Sequence, residues 1–554
     1  MRERVGQLSS AAVKRAIEDK KLKLRSMPDV EVERPRDKAH GDWSTNVALT
    51  LAKSAGMKPA DIAKILIPYL SEESAVFASV EFAAPGFINF RLAPEYLTSA
   101  LKEIERLGSD FGRSKTGGGE KVQVEFVSAN PTGPLHVGHG RWAAVGDALA
   151  NVMTAAGWQV EREFYVNDFG TQMDLFGISV AARYAQLLGL DEPVPEGGYH
   201  GAYVTEISQE IIDDEGEKYL NYPPGERHAI FRQHAEEVVI EHIKKVLTAF
   251  GVNFDVWFSE RTLHASGALT KTIRRLRKQG HVYELDGAVW LKTTAFGDDK
   301  DRVLIRENGQ PTYFAADIAY HADKFARGFN RVINIWGSDH HGYVARMKAA
   351  VAALGFKPNQ LEVIIGQFVN LYRDGEPVRM SKRTGEIVTF EELLDEVGAD
   401  IARYMFLTRS TDSPVDFDIE LAKRESQDNP VYYVQYAHAR ISSILKHAKK
   451  KGVALPEPGA SDTSLLTEES ELELVKQLLS LKETIEDAAF LRAPYRLTKY
   501  AEETAAAFHA FYTKCRVVTE DEALTAARLT LARSAQIVLK NTLTLLGVSA
   551  PESM

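Results

Sequence analysis

The sequence predicts an α/β multidomain protein: a middle region built on a sheet covered by helices, preceded by an α+β domain and followed by an all-α bundle. Three observations predict it. Between residue 121 and about residue 410, short apolar runs alternate with segments of helical period, which argues for an α/β sheet. Ahead of residue 112, helix-like segments mix with a strand-like pair. Beyond Asn429 the strand signals fade and long segments of period 3.6 take over, as in a helical bundle.

A chain of 554 residues has room for three or four domains of ordinary size. Its apolar and charged fractions of 44% and 26% are those of a soluble globular protein. It contains no run of about 18 apolar residues, and Met1-Arg2-Glu3-Arg4 opens a polar segment, so neither secretion nor membrane spanning is expected. Cys515 is the single cysteine, which excludes a disulfide framework and any zinc site built from several thiolates; the cytoplasm is the expected compartment.

Residues 1–112 form the first expected domain. In it, Val80-Glu81-Phe82 runs through Pro85-Gly86 into the strand-like Phe87-Ile88-Asn89-Phe90-Arg91-Leu92. The loop Lys115-Thr116-Gly117-Gly118-Gly119 marks the boundary. Residues 120–410 form the second, with a connective insertion around 180–290 announced by the acidic, Pro/Gly-containing stretch from Asp191 to Gly225. Residues 411–554 form the third, interrupted by the linker Leu455-Pro456-Glu457-Pro458-Gly459-Ala460-Ser461. The net charge of −10 lies almost wholly in the middle region, and both flanks are near neutral. The basic runs Arg274-Arg275-Leu276-Arg277-Lys278 and Lys446-His447-Ala448-Lys449-Lys450-Lys451 suit phosphate contacts, although either alone reads first as a solvated helix face.

Two segments of the middle region carry chemistry. In the first, Val122-Gln123-Val124-Glu125-Phe126-Val127 reads as a buried strand and Asn130-Pro131-Thr132-Gly133-Pro134 as a turn. A helix follows with Trp142, Val145, Leu149 and Val152 at helical spacing until Gly157, and Val160 to Val166 supplies the next strand. This β-α-β unit puts His136 and His139 at a helix N-terminus, where unpaired N–H groups and the dipole favour an anion. Gly138 leaves room for a nucleotide against the backbone.

The second segment is Arg379-Met380-Ser381-Lys382-Arg383-Thr384-Gly385. It follows a strand-like run, Val363 to Val369, and a turn at Arg373-Asp374-Gly375-Glu376; Thr389 and Glu392 then stand at capping-box spacing before a helix. Lys382 offers a point charge for departing pyrophosphate. Each segment alone is weak evidence, but together they describe a site that activates a carboxylate with ATP.

The pair resembles the two signature motifs of class I aminoacyl-tRNA synthetases. The stretch from Val124 to Arg141, and Asn429-Pro430-Val431-Tyr432-Tyr433-Val434-Gln435-Tyr436-Ala437-His438-Ala439-Arg440, are similar to arginyl-tRNA synthetases of the bacterial type. Arg379 stands where the class motif has its first lysine. The resemblance implies a Rossmann-like parallel-sheet catalytic domain and a two-step ligation of L-arginine to tRNA(Arg) by way of arginyl-adenylate. It implies catalytic roles for His136, His139 and Lys382, and ATP contacts at Pro134, Gly138, Gly337, Asp339, Met380 and Ser381. Asp339 reads equally as a helix N-cap. Asp317 matches the family's guanidinium-binding aspartate, and Tyr313, Glu125, Ser128, Asn130 and His341 are the other implied arginine contacts. Mg²⁺ is expected with ATP and no structural metal; a monomer, requiring tRNA for activation, is expected. In the family the C-terminal bundle binds the anticodon loop and the N-terminal domain the tRNA elbow, and Tyr432, Tyr433, Tyr436 and Phe511 are aromatics suited to stacking on unpaired bases. The rival readings are another class I activity and a catalytically silent tRNA-binding paralogue.

Overall fold

A computed structural model describes residues 1–24, 26, 27, 29–35, 37–378 and 388–554. At its centre lie five strands: β1 (Lys121–Glu125), β2 (Gln159–Val166), β3 (Val256–Ser259), β4 (Arg331–Gly337) and β5 (Leu361–Gly366). They stand in the order β5-β4-β1-β2-β3, and every neighbouring pair is parallel. This is the doubly wound, Rossmann-like arrangement. The chain builds one half of the sheet outward from β1 and then returns to place β4 on the other side. A crevice therefore opens beyond the carboxyl ends of β1 and β4. Helices on both faces bury the strands, and Val122, Val124, Val332 and Ile333 are solvent-inaccessible.

Helix α1 (Val137–Ala155) crosses from β1 to β2 with Trp142, Val145, Leu149 and Val152 all buried. The backbone then turns at Gly157, whose φ of +96° suits glycine. The β2–β3 crossover contains three helices, Thr171–Leu187, Ala202–Glu215 and Pro224–Ala249, so the acidic stretch from Asp191 to Gly225 is partly helical. Between β3 and β4 come two short helices, a three-stranded antiparallel sheet (Val282–Leu285, Ala288–Leu291, Arg302–Ile305) and α2 (Tyr313–Ala326).

The N-terminal region has a four-stranded antiparallel sheet (Val32–Glu33, Trp43–Thr45, Phe77–Ala83, Phe87–Leu92) packed with helices. The C-terminal region is helical: Pro430–Lys450, Glu469–Leu479, Leu481–Phe490, Tyr495–Lys514 and Glu522–Leu546. This bundle is tied to the middle region through Arg403. Its buried guanidinium donates to the carbonyls of Leu546 (2.7 Å) and Phe250 (2.9 Å) and pairs with Asp147 of α1. Residue 547 must be small here, since a Cβ on Gly547 would lie 2.3 Å from Arg403 Nε.

Three local expectations are corrected. Strand β1 stops at Glu125, not Val127, because Val127 and Ser128 adopt positive φ (67° and 41°) and turn the chain into the crevice. The run from Val363 to Val369 is two strands: β5 ends at Gly366, and Val369–Arg373 joins a separate sheet. The ladder ends there because its partner β4 ends at Gly337, opposite Gly366, and beyond it the buried Arg141 guanidinium donates to the carbonyls of Gln367 (2.6 Å), Ser410 (2.9 Å) and Ser413 (2.8 Å). Asp339 is not a helix N-cap; Gly337 holds that place before the short 3₁₀ segment Ser338–Tyr343.

Candidate active site

The crevice beyond β1 and β4 gathers most of the expected residues. His136 is the N-cap of α1 and His139 its third residue. Their rings stack with centroids 3.7 Å apart and planes 24° from parallel. The His136 N–H donates to His139 Nδ1 at 3.2 Å, which puts the His139 proton on Nε2, a donor for an incoming anion. A Cβ on Gly138 would press on the His136 ring at 3.0 Å, and one on Gly140 would enter the Phe390 ring at 2.3 Å. The close approach at Gly140 fastens the start of α1 to the helix Phe390–Val397. Two further contacts complete that junction: Phe390 N–H donates to the Leu135 carbonyl at 2.8 Å, and His136 pairs with Thr389 as a β-bridge. Thr389 and Glu392 form the expected capping box, with Glu392 N–H to Thr389 Oγ1 at 3.1 Å. Arg379, Met380, Ser381 and Lys382 lie outside the described residues. The turn at Asp374-Gly375 before them is a tight hairpin, with φ of 52° and 80°.

On the opposite side of the crevice, α2 begins at Thr312, whose hydroxyl caps the Ala315 N–H. Tyr313 opens the helix and is 58% exposed, so it is not a core aromatic. Asp317 follows one turn later on the same face. The Tyr343 hydroxyl donates to Asp317 Oδ2. Burial pushes the Asp317 carboxyl up to about 6; the Tyr343 hydrogen bond opposes this, nearby Glu125 reinforces it, and Lys324 and Arg346 counter it.

Glu125 ends β1 at 6% exposure. It accepts from Ser128 Oγ at 3.1 Å and from Lys324 Nζ, and the Ser128 oxygen in turn accepts from Tyr165 N–H at 3.1 Å. Asn130 is exposed, its amide donating to Gln172 Oε1 at 2.6 Å. Gly337 ends β4, where a Cβ would sit 2.6 Å from Asp339 Oδ1. Asp339 and His341 are both exposed on the segment beyond it, and the residue of that segment that reaches Asp317 is Tyr343, not His341.

This geometry sets the stacked histidines of α1 at the same end of the sheet as buried Glu125 and half-buried Asp317. The family model described as tRNA synthetases class I (R), catalytic domain, matches residues 103–419, more than half of the chain. Arginyl tRNA synthetase N terminal domain matches 8–92, and DALR anticodon binding domain matches 434–554. The chain belongs to the arginyl-tRNA synthetase family. It is 51% identical to an arginine–tRNA ligase of Desulfitobacterium hafniense, over 96% of this chain and 95% of that one. It is 49% identical to the arginine–tRNA ligase of Carboxydothermus hydrogenoformans, over 99% and 98%. The fold matches Thermus thermophilus arginyl-tRNA synthetase with a TM-score of 0.78 over the whole of both chains, at 24% identity. Neither rival reading gains a supporting observation.

Four side chains of the site escape motif reading: Lys324, His321, Asn334 and Tyr343. A signal for two of them exists. Tyr313, Asp317, His321 and Lys324 recur at intervals of four, four and three along a mostly apolar helix, a polar stripe at helical period. Tyr343 and Asn334 carry no such mark. Phe511, expected among the base-stacking aromatics, is fully buried in the bundle core and unavailable; Tyr432, Tyr433 and Tyr436 are half-buried.

Proposed function

We infer that the chain ligates L-arginine to tRNA(Arg) with ATP, by way of arginyl-adenylate. The observation that carries this reading is the half-buried Asp317 carboxylate, held by the Tyr343 hydroxyl on the face of α2 that begins at exposed Tyr313, at the sheet end that also holds the stacked histidines. A carboxylate can take a guanidinium through two parallel hydrogen bonds, which an ammonium cannot match. Glu125, with Ser128 and Asn130, is the site for the substrate's ammonium end, and Tyr313 and His341 close the pocket.

In the first step a carboxylate oxygen of arginine attacks the α-phosphorus of ATP. The new O–P bond forms as the bond to the β-phosphate bridging oxygen breaks, and pyrophosphate leaves. His136, His139 and the N-terminus of α1 donate to the phosphate oxygens as charge grows, which lowers the barrier by preorganised electrostatics. Lys382, with Met380 and Ser381 beside it, neutralises the departing pyrophosphate. Pro134 and Gly138 line the phosphates, and Gly337 and Asp339 meet the ribose and adenine. In the second step a ribose hydroxyl of the tRNA 3′ end attacks the arginyl carbonyl; the ester forms and AMP leaves.

Mg²⁺ accompanies ATP, held by phosphate oxygens and water. Among the described residues no cluster of three or more His, Cys, Asp or Glu suits a metal, and no step here runs through one. No described helix is long and apolar enough to cross a membrane; a cytoplasmic monomer is the proposed form. Residues 1–112 and 411–554 flank the catalytic region 120–410 as tRNA-binding domains. A basic cavity of about 780 Å³ in the bundle, lined by Arg440, His447, Lys451, Tyr512, Lys514 and Arg516, suits the phosphates of a bent RNA loop. The test is charging: the protein, ATP and labelled arginine should convert tRNA(Arg) to an alkali-labile arginyl ester. Tight tRNA binding with no ester formed would overturn the reading.

A further inference from the structure

Beneath the arginine pocket runs a chain of hydrogen bonds that reaches Glu125 and Ser128 through three side chains, His321, Asn334 and Lys324, to which the reaction gives no part. It begins on α2, where His321 Nδ1 lies 2.7 Å from the carbonyl of Asp317. A carbonyl only accepts, so Nδ1 carries the proton and Nε2 is the acceptor. Asn334 Nδ2 lies 2.9 Å from that Nε2 and donates to it. This fixes the Asn334 amide, with its oxygen turned to Lys324 Nζ at 3.0 Å. Lys324 then donates to Glu125 Oε2, Ser128 Oγ donates to Glu125 Oε1, and the Tyr165 N–H donates to Ser128 Oγ.

Every link has one direction, and reversing any of them leaves two donors or two acceptors facing each other. Burial pushes the His321 imidazole down to about 3, aided by the Lys324 charge, so the ring is neutral and the donor order holds at working pH. Asn334 and Glu125 are also register partners on the adjoining strands β4 and β1. The Lys324 side chain is entirely inaccessible to solvent and lies 4.2 Å from the Tyr320 ring centroid. Burying an ammonium costs several kcal/mol unless it is fully bonded, and here its charge is spent on a carboxylate at the pocket floor.

The chain joins the Glu125 carboxylate to the α2 backbone that carries Asp317, the two residues that the reading above assigns to opposite ends of the substrate. Asp317 is tied through its own backbone carbonyl, and Glu125 through both of its oxygens. We propose that Lys324 and Asn334 are positioning residues that fix the separation of Glu125 from Asp317, and so select the length of the amino-acid side chain. This rests on the assignment of those two carboxylates to arginine.

The experiment compares ATP–pyrophosphate exchange, with tRNA present, for arginine and for homoarginine, which is one methylene longer. The proteins are wild type, Lys324→Gln and Asn334→Ser. A methylene in a matched pocket is worth on the order of 10- to 200-fold in kcat/KM. If the chain sets the spacing, the arginine-to-homoarginine ratio falls by about tenfold in both variants, while the KM for ATP and the Kd for tRNA stay within about twofold of wild type. A ratio within about twofold of wild type overturns the proposal. Should Lys324→Gln fail to fold, Asn334→Ser decides alone, since it keeps the Lys324–Glu125 pair and removes the Asn334 amide. The arginine dependence of Asp317→Asn tests the assignment of that carboxylate separately from the ratio in the variants.

Discussion

Replacing Asp317 by Asn probes the pocket with the smallest change of shape. The amide oxygen still accepts from the Tyr343 hydroxyl, so the fold around α2 is kept. What is lost is the negative charge and one of two acceptors for the guanidinium, and the new NH₂ faces a donor. Two charge-assisted hydrogen bonds contribute about 1.5–3 kcal/mol each, and the amide retains about 1 kcal/mol through its oxygen. The net loss is then about 2–5 kcal/mol, or roughly 30- to 4,000-fold in kcat/KM for arginine. Pyrophosphate exchange measured against arginine and against ATP separates the effect: the arginine term carries the loss, and the KM for ATP does not move. A loss under about fivefold, or an equal rise in both KM values, would refute the assignment of Asp317 to the guanidinium.

The same carboxyl fixes a pH limb. In the unliganded pocket its pKa is raised to about 6, so below that pH a proton occupies the group that arginine needs. Arginine kcat/KM should fall about tenfold per unit below pH 6, and the Asp317→Asn variant should lack this limb. His139→Asn removes the Nε2 donor at the start of α1 and should lower kcat of exchange by roughly 10²- to 10³-fold with little change in tRNA affinity, measured by filter binding. Gly366→Ala drives a methyl into Trp142, whose ring stands 1.7 Å from the ideal Cβ, and should destabilise the protein by about 1–3 kcal/mol in urea unfolding. Arg403→Met strips the tie between the bundle and Asp147. It should cost about 3 kcal/mol, softened because Arg162 remains on Asp147 at 3.0 Å, and should raise proteolytic release of the bundle.

Much of this architecture is legible in the residues, and the parts that are not share a cause. Local signals carry over well. The β-α-β unit around α1, the Thr389–Glu392 box and the hairpin turn at Asp374-Gly375 depend on neighbours a few positions apart, and the structure has each of them. The strand from Val363 is shorter than the apolar run because its length is set by distant partners: β4 ends at Gly337, opposite Gly366, and Arg141, 226 positions away, takes the Gln367 carbonyl. β1 ended early because Val127 and Ser128 take backbone angles that no composition rule assigns to β-branched or small polar residues. In the site, Asp317 and the histidine pair are legible through resemblance and spacing. Tyr343 and Asn334 are not, because they act across the sheet and from a segment where His341 is the more conspicuous residue. Lys324 was readable only as one member of a polar stripe, and its meaning comes from burial against Glu125.

The central claim is that this crevice activates arginine and not another amino acid. ATP–pyrophosphate exchange with arginine, lysine and cysteine, each with and without tRNA, tests it most directly. Exchange is expected with arginine alone, and only when tRNA is present. Exchange with lysine at a comparable rate, or none under any condition despite tight tRNA binding, would contradict it.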